Sequence, residues 1–225
     1  ILAPTGIAAI NAGGMTIHSF FQLPFAPYIP GTAFGGDAKY RFRFGKEKLN
    51  IMRSIDLLVI DEISMVRADL LDAIDDVLRR FRRNSKPFGG VQLLLIGDIQ
   101  QLPPVAKNDE WQMLSEYYDS PYFFSSHALR ETTFYTIELK KVYRQNDARF
   151  LSLLNVIREN RCTSDDLRAL NSRYIPNFDK CSDEGYIRLT THNIQAQKIN
   201  QMKLDELSSQ SYKFKATIEG NFPEY

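Results

Sequence analysis

The 225-residue chain is 44% hydrophobic and carries 28 lysines and arginines against 27 aspartates and glutamates, a formal charge of +1. Such a length supports a sizeable core in one large domain or two small ones, and near-neutrality excludes a global positive field, so any nucleic-acid site must be a local patch. Cys162 and Cys181 lack metal-ligand or redox spacing and are too few for a disulfide framework, while no apolar run of about 18 residues and no charged, cleavable leader speaks for a membrane span or secretion; an intracellular protein is expected, cytoplasmic at the nucleoid if bacterial.

The chain opens on "ILAPTGIAAINAGG" with no initiator Met and reads as the end of a strand whose upstream part is missing. "MTIHSFFQLPF" follows, and then residues 24–48, rich in Pro, Gly, aromatic and basic residues, which predict a long loop or small insertion. In "IDLLVIDEIS", residues 55–64, a short apolar run ends in two carboxylates and predicts a strand buried on both faces of a parallel sheet. "RADLLDAIDDVLRRFRRN" places Leu70, Leu71, Ile74, Val77, Leu78 and Phe81 at helical spacing, acids early and arginines late, as the helix dipole favours. "FGGVQLLLIGD" predicts a second buried strand, which completes a strand–helix–strand crossover unit.

Further on, "TFYTIELKKVYRQ" alternates like a strand over residues 133–139. "ARFLSLLNVIREN" and "TSDDLRALNSRY" predict two helices, the second capped by Thr163 or Ser164. "GYIRLTTHN" predicts another strand and "IQAQKINQMKLDEL" another helix. A second strand-and-helix set therefore begins near Asp147, dividing the chain into domains 1–146 and 147–225.

Both buried strands end at an aspartate, and ligands of open parallel sheets sit at the carboxyl ends of the strands, so Asp61, Glu62, Gly97 and Asp98 are expected to meet at one crevice. One carboxylate of Asp61-Glu62 can hold Mg2+ through its water shell while the other polarises an attacking water; the same pair would also serve as a solvated strand end. In "GDIQQLPPV" the amide of Gln101 can orient that water or report a terminal phosphate, with Pro103 and Pro104 fixing an extended path. A plain proline-stiffened turn fits that segment nearly as well.

Together, "LLVIDEISM", "GVQLLLIGDIQQLPPV", "APTGIAAINAGGMTIHSFF" and "ELKKVYRQ" closely resemble the Pif family of DNA helicases, superfamily one, subgroup B. The likeness runs in register from Ile1 to about Arg144 and continues more weakly through "IRLTTHNIQAQKIN". It implies an α/β fold: a RecA-like, parallel-sheet P-loop NTPase motor domain followed by the start of a second. It implies ATP and Mg2+ as cofactors, with Asp61 organising the metal, Glu62 activating water, Gln101 sensing phosphate and Arg144 reaching the terminal phosphate, where an arginine supplies about 10³- to 10⁵-fold in rate. From the residues alone Arg144 reads as a surface salt bridge.

For DNA, the resemblance marks Pro4, Thr5 and Gly6, then His18, Ser19 and Phe20, and in the second domain Thr191, His192 and Asn193. Hydroxyls and backbone N–H groups can grip phosphates while His18 and Phe20 or Phe21 stack on bases, although one of the adjacent phenylalanines is expected in the core. "KYRFRFGKEK", residues 39–48, has the pattern of a single-strand binder or of an edge strand with a solvated face, and the insertion at 24–48 stands where the family separates the duplex. The partners implied are single-stranded and forked or structured DNA, with a monomer expected and a role in replication, repair and telomere maintenance. The pattern departs at one point: G-x-x-x-x-G-K-[ST] is absent, so these residues alone are not expected to hydrolyse ATP well. Two other classes stay open, a single-strand-binding module without catalysis and a P-loop ATPase that moves something other than nucleic acid.

Overall fold

The computed structural model describes residues 1–31, 44–176, 178, 186–210, 212, 214 and 215. These form two compact units, 1–151 and 152–225. The first holds a four-stranded parallel sheet in the order β2-β1-β3-β4, built from β1 (Leu2–Ala3), β2 (Met15–Thr16), β3 (Leu57–Ile60) and β4 (Gln92–Leu95). β3 and β4 pair in register from Leu57 opposite Gln92 to Ile60 opposite Leu95.

Helix α1 (Gly6–Asn11) links β1 to β2, and α2 (Ile17–Phe21) follows β2 directly. α3 (Lys46–Ser54) precedes β3, and α4 (Ala68–Arg82) connects β3 to β4. α4 forms where its apolar spacing predicts: Leu71, Ile74, Val77 and Leu78 are buried in one core with Ile60, Phe21, Ile17, Met52 and Phe88, while Leu70 and Phe81 pack on its edge. β4 differs from its prediction. It is the last strand of the sheet among the described residues, and like β3 it leaves one side-chain face open, with Leu57 50%, Leu94 47% and Ile96 44% exposed, so neither strand is buried on both faces.

Asp69 stands in the first turn of α4 and Arg79, Arg80 and Arg82 in the last, as the dipole reading expects, but the acids do more than complement the dipole. Asp69, Asp72 and Asp75, spaced three apart, turn inward and are buried, and each satisfies backbone or side-chain donors brought from elsewhere in the chain. Asp69 accepts the Tyr28 amide at 3.0 Å and a two-pronged Arg67 guanidinium at 2.8 Å, whose third nitrogen reaches Glu110 at 2.6 Å. Asp72 takes the Tyr118 hydroxyl (2.9 Å), the Ser126 hydroxyl (2.5 Å) and the amides of His127 and Ala128 (3.1 and 3.0 Å). It thereby anchors α6 (His127–Arg130), while Arg67 ties down α5 (Asn108–Leu114) through Glu110. Asp75 accepts Phe88 N–H at 2.5 Å and pairs with Arg79; burial holds its carboxyl above the usual range against both partners.

Both described ends of the 24–48 insertion are fastened to α2 and α4. Phe25 stacks on His18 with ring centres 4.7 Å apart, and Tyr28 N–H is the donor to Asp69. Lys48 donates to the Ser19 carbonyl at 3.0 Å and lies over the rings of Phe20 and Phe44. Residues 39–43 of "KYRFRFGKEK", and residues 32–43 of the insertion, lie outside the described residues, and Lys46, Glu47 and Lys48 open α3 and form no edge strand.

Residues 133–139 carry no strand, nor do residues 186–190, although both alternate. A strand exists by pairing, and neither segment has a ladder partner among the described residues. The second unit holds most of α7 (Ala148–Arg158), which crosses from the first, together with α8 (Ser164–Asn171) and α9 (Asn193–Asp205). Thr163 caps α8 in a reciprocal box with Asp166, which decides between the two predicted caps.

Two outcomes follow from this packing. Removing the Asp72 carboxylate strands three buried donors and one part-buried amide, so Asp72→Ala is expected to cost about 3 kcal/mol or more, read as a fall in Tm of roughly 6–12 °C; an unchanged Tm would contradict the anchoring role. His18 is held below its ordinary pKa by burial and then by the Arg67 charge, against Asp69. The unfolded chain therefore binds this proton more readily, and stability present above a pH of about 6.5 is lost as pH falls through the lower folded value. Urea midpoints at neutral and mildly acid pH should drop more in the wild type than in His18→Gln, and equal drops would refute the assignment.

Candidate functional site

The site is built at the ends of β3 and β4. Their ladder continues past the last paired residues: Ile96 N–H donates to Ile60 O at 2.9 Å, and Ile63 N–H donates back to Ile96 O at 2.9 Å. Gly97 follows at once, pressed so closely on the neighbouring loop that a Cβ there would stand 2.9 Å from Ile63 N and 3.0 Å from Ile63 Cγ2. Glycine at the head of "GDIQQLPPV" is thus demanded by close approach.

Asp61 and Glu62 would point to opposite sides if β3 ran on. Instead Asp61 N–H donates to Leu2 O at 2.9 Å, extending the sheet toward β1, and Glu62 takes a left-handed backbone with φ 51° and ψ 45°. That conformation is costly for a residue with a side chain and persists only where surroundings enforce it. It reverses the chain into a tight turn, Ile63–Met65. Asp61 Oδ1 accepts the Glu62 amide at 2.9 Å and braces the reversal, which leaves its second carboxylate oxygen and the Glu62 carboxylate without partners among the described residues.

On the neighbouring loop Asp98 does the folding. Its side chain accepts the Gln100 amide (3.1 Å) and the Gln101 side-chain amide (3.2 Å), and its carbonyl accepts Gln101 N–H (3.0 Å). Asp98 is therefore the residue that aims Gln101, a role whose sequence signal is an aspartate two and three residues before the groups it holds. Beyond it Pro104 is buried and Pro103 exposed, and the segment runs without regular structure to α5.

A cleft of about 240 Å3 opens between these loops and α1, lined by Thr5, Ile7, Ala8 and Asn11 on one side and Glu62, Ser64, Met65, Gln101 and Leu102 on the other. Of the residues expected from sequence it gathers Glu62, Gln101 and Thr5. Asn11 and Ser64 were not anticipated; Ser64 stands two residues after Glu62 in "DEIS", and Asn11 lies one helical turn beyond Ile7 and Ala8.

The expected strand contacts lie on helix starts and not on free loops. Thr5 caps α1, its hydroxyl accepting Ala8 N–H at 3.3 Å, with Pro4 half-buried before it and Gly6 facing open space. His18, Ser19 and Phe20 are on α2, which Thr16 caps. Phe21 is the core member of the phenylalanine pair, and Phe20 is half-buried with its ring edge-on to it. Arg144 stands exposed in an irregular segment of the first unit, outside the cleft lining and without an ion pair among the described residues. Thr191, His192 and Asn193 open α9 in the second unit, the Thr191 hydroxyl 2.8 Å from His192 Nδ1.

Among the described residues no helix is long and apolar enough to cross a membrane. Residues 1–167 match the PIF1-like helicase family. The human ATP-dependent DNA helicase PIF1 is 37% identical over 95% of this chain and 31% of its own length, and the Saccharomyces cerevisiae ATP-dependent DNA helicase RRM3 is 35% identical over the whole chain and 29% of its own. The chain thus spans about a third of the curated relatives it matches. The Bacteroides Pif1 helicase solved with ADP-AlF3 and ssDNA superposes with a TM-score of 0.83 at 42% identity, over 93% of this chain and 47% of that one. A Pif1 structure addressing unwinding at forked dsDNA gives 0.81 at 43% identity over 90% and 46%. With the matched register spanning both strand ends, the reversed Glu62 turn and the glutamine loop, the chain belongs to the PIF1-like helicase family and carries its RecA-like, parallel-sheet fold.

Proposed function

We propose that the protein is an ATP-dependent DNA helicase that moves five-prime to three-prime on single-stranded DNA and separates duplex. The observation that carries this reading is the shared cleft: Glu62 and Gln101, on two hydrogen-bonded strand ends, face Thr5 on the first helix cap. Glu62 would take a proton from the attacking water and Gln101 would orient that water against a terminal phosphate. Arg144, exposed and without an ion pair among the described residues, would reach the same phosphate from the chain segment after α6.

Asp61 fits a Mg2+ ligand, since one of its oxygens braces the turn and the other has no partner among the described residues. No group of three metal-ligating side chains gathers among the described residues, so Asp61 would hold the ion singly, with water and phosphate oxygens completing its shell. When bound, the ion neutralises developing phosphate charge. The phosphate-cradling pattern G-x-x-x-x-G-K-[ST] is absent from these 225 residues.

The two units support a division into most of one motor domain and the start of a second, with ATP bound between such domains in the intact protein and its hydrolysis altering the grip on DNA. Single-stranded DNA would run over Pro4, Thr5 and Gly6 and over His18, Ser19 and Phe20, with Thr191, His192 and Asn193 supplying the second domain's contact. The fastening of residues 24–31 and 44–48 to α2 and α4 supports a wedge role for the insertion, because a wedge must transmit force to the strand-gripping helix. Forked or structured DNA in replication, repair or telomere maintenance, within the cell, is the setting this reading suggests, with the protein working as a monomer.

In the intact protein, Glu62→Gln should lower DNA-stimulated ATP turnover by about 10²- to 10⁴-fold while nucleotide binding survives; wild-type turnover would sink the catalytic assignment, and single-strand binding indifferent to ATP would favour a module without catalysis. Gly97→Ala should drive Ile63 from its place, lowering turnover more than about tenfold and costing roughly 1–3 kcal/mol of stability. Normal turnover in that variant would show that the two loops need not be so close.

A further inference from the structure

One side chain on the cleft is out of keeping with its surroundings. Ser64 is 0% exposed, and its hydroxyl is, among the described residues, the one buried side-chain oxygen or nitrogen without a hydrogen-bond partner. Buried polar groups are nearly always paired, because leaving one unpaired forfeits its bonds to water without return. Elsewhere this fold obeys that rule closely, as the four donors gathered on Asp72 show. Ser64 lies on the turn that follows Glu62, lines the cleft with Glu62 and Gln101, and has its backbone nitrogen 3.3 Å from where a Gly97 side chain would begin. It is therefore wedged between the two loops that carry the proposed hydrolytic groups.

We infer that Ser64 is a positioning residue for the hydrolytic step, its hydroxyl, covered in the present arrangement, taking the missing hydrogen bond from the water between Glu62 and Gln101 once filling of the cleft uncovers it. This rests on reading the cleft as the hydrolytic site. Unpaired, the hydroxyl raises the free energy of the present arrangement; a bond gained only when nucleotide and water fill the cleft favours the filled arrangement by roughly tenfold in population. Glu62 remains the proton acceptor, and Ser64 makes one hydrogen bond and exchanges no proton. A residue kept for such a purpose weakens the resting fold, which is the reverse of what a structural serine does.

The test is Ser64→Ala in the intact protein, with Glu62→Gln measured beside it. The expected result is a DNA-stimulated kcat lowered about tenfold and a KM for ATP within about twofold of wild type. The Tm should be unchanged or raised by about 1–2 °C, since no bond is lost from the resting state. A kcat within about twofold of wild type would overturn the inference, as would a Tm lowered by more than about 4 °C, which would reveal a structural partner. Should Glu62→Gln keep its turnover, the cleft is not the hydrolytic site and that reading falls with this one; loss of turnover in Glu62→Gln beside normal rates in Ser64→Ala removes the Ser64 role alone.

Discussion

One backbone hydrogen bond, from Ile63 N–H to the Ile96 carbonyl, joins the two loops on which the site is built. It can form only because residue 97 has no side chain to hold the loops apart. Given that contact, Glu62 reverses the chain in a left-handed conformation, Asp61 spends one oxygen bracing the reversal, and the carboxylate and glutamine loops are held side by side. Asp98 completes the arrangement by fixing Gln101. Loops joined this way suit the proposed reading, in which removal of a phosphate at one would be reported to the other.

Behind this edge, α4 holds the first unit together by an unusual division of labour. Its leucines, isoleucine and valine supply the core, and its three inward aspartates fasten the irregular segments: Tyr28 of the insertion through Asp69, the start of α6 through Asp72 and the turn before β4 through Asp75. Buried carboxylates are stabilising only when fully satisfied, so the loops and the helix require one another. Arg67, bonded to both Asp69 and Glu110, extends the same network to α5. Through Tyr28 and the Phe25–His18 stack, this scaffold also fastens the insertion to the helix bearing the expected strand contacts.

Much of this was legible in the chain. β3, α4 and β4 follow from apolar run lengths and helical spacing, and a crevice at Glu62 from two strands ending beside each other, although Asp61, Gly97 and Asp98, expected at the same crevice, do not line the cleft. Thr5, by contrast, was tied to strand contact only by resemblance. The inward turn of Asp69, Asp72 and Asp75 was not legible, since an acid's direction depends on partners 41, 55 and 13 residues away. α1, α2, α3, α5 and α6 are short, and nucleation makes such helices products of tertiary packing more than of local pattern. Residues 133–139 show the converse: their alternation is clear, yet alternation without a neighbouring strand makes no ladder.

The most direct measurement is a double-mutant cycle on ATP turnover in the intact protein, combining Glu62→Gln with Gln101→Ala. If the two side chains act on one water across one cleft, the double variant should be no slower than the slower single variant, because the second change removes something already lost. Losses that multiply would mean that the two groups act independently, and would contradict the coupled site described above.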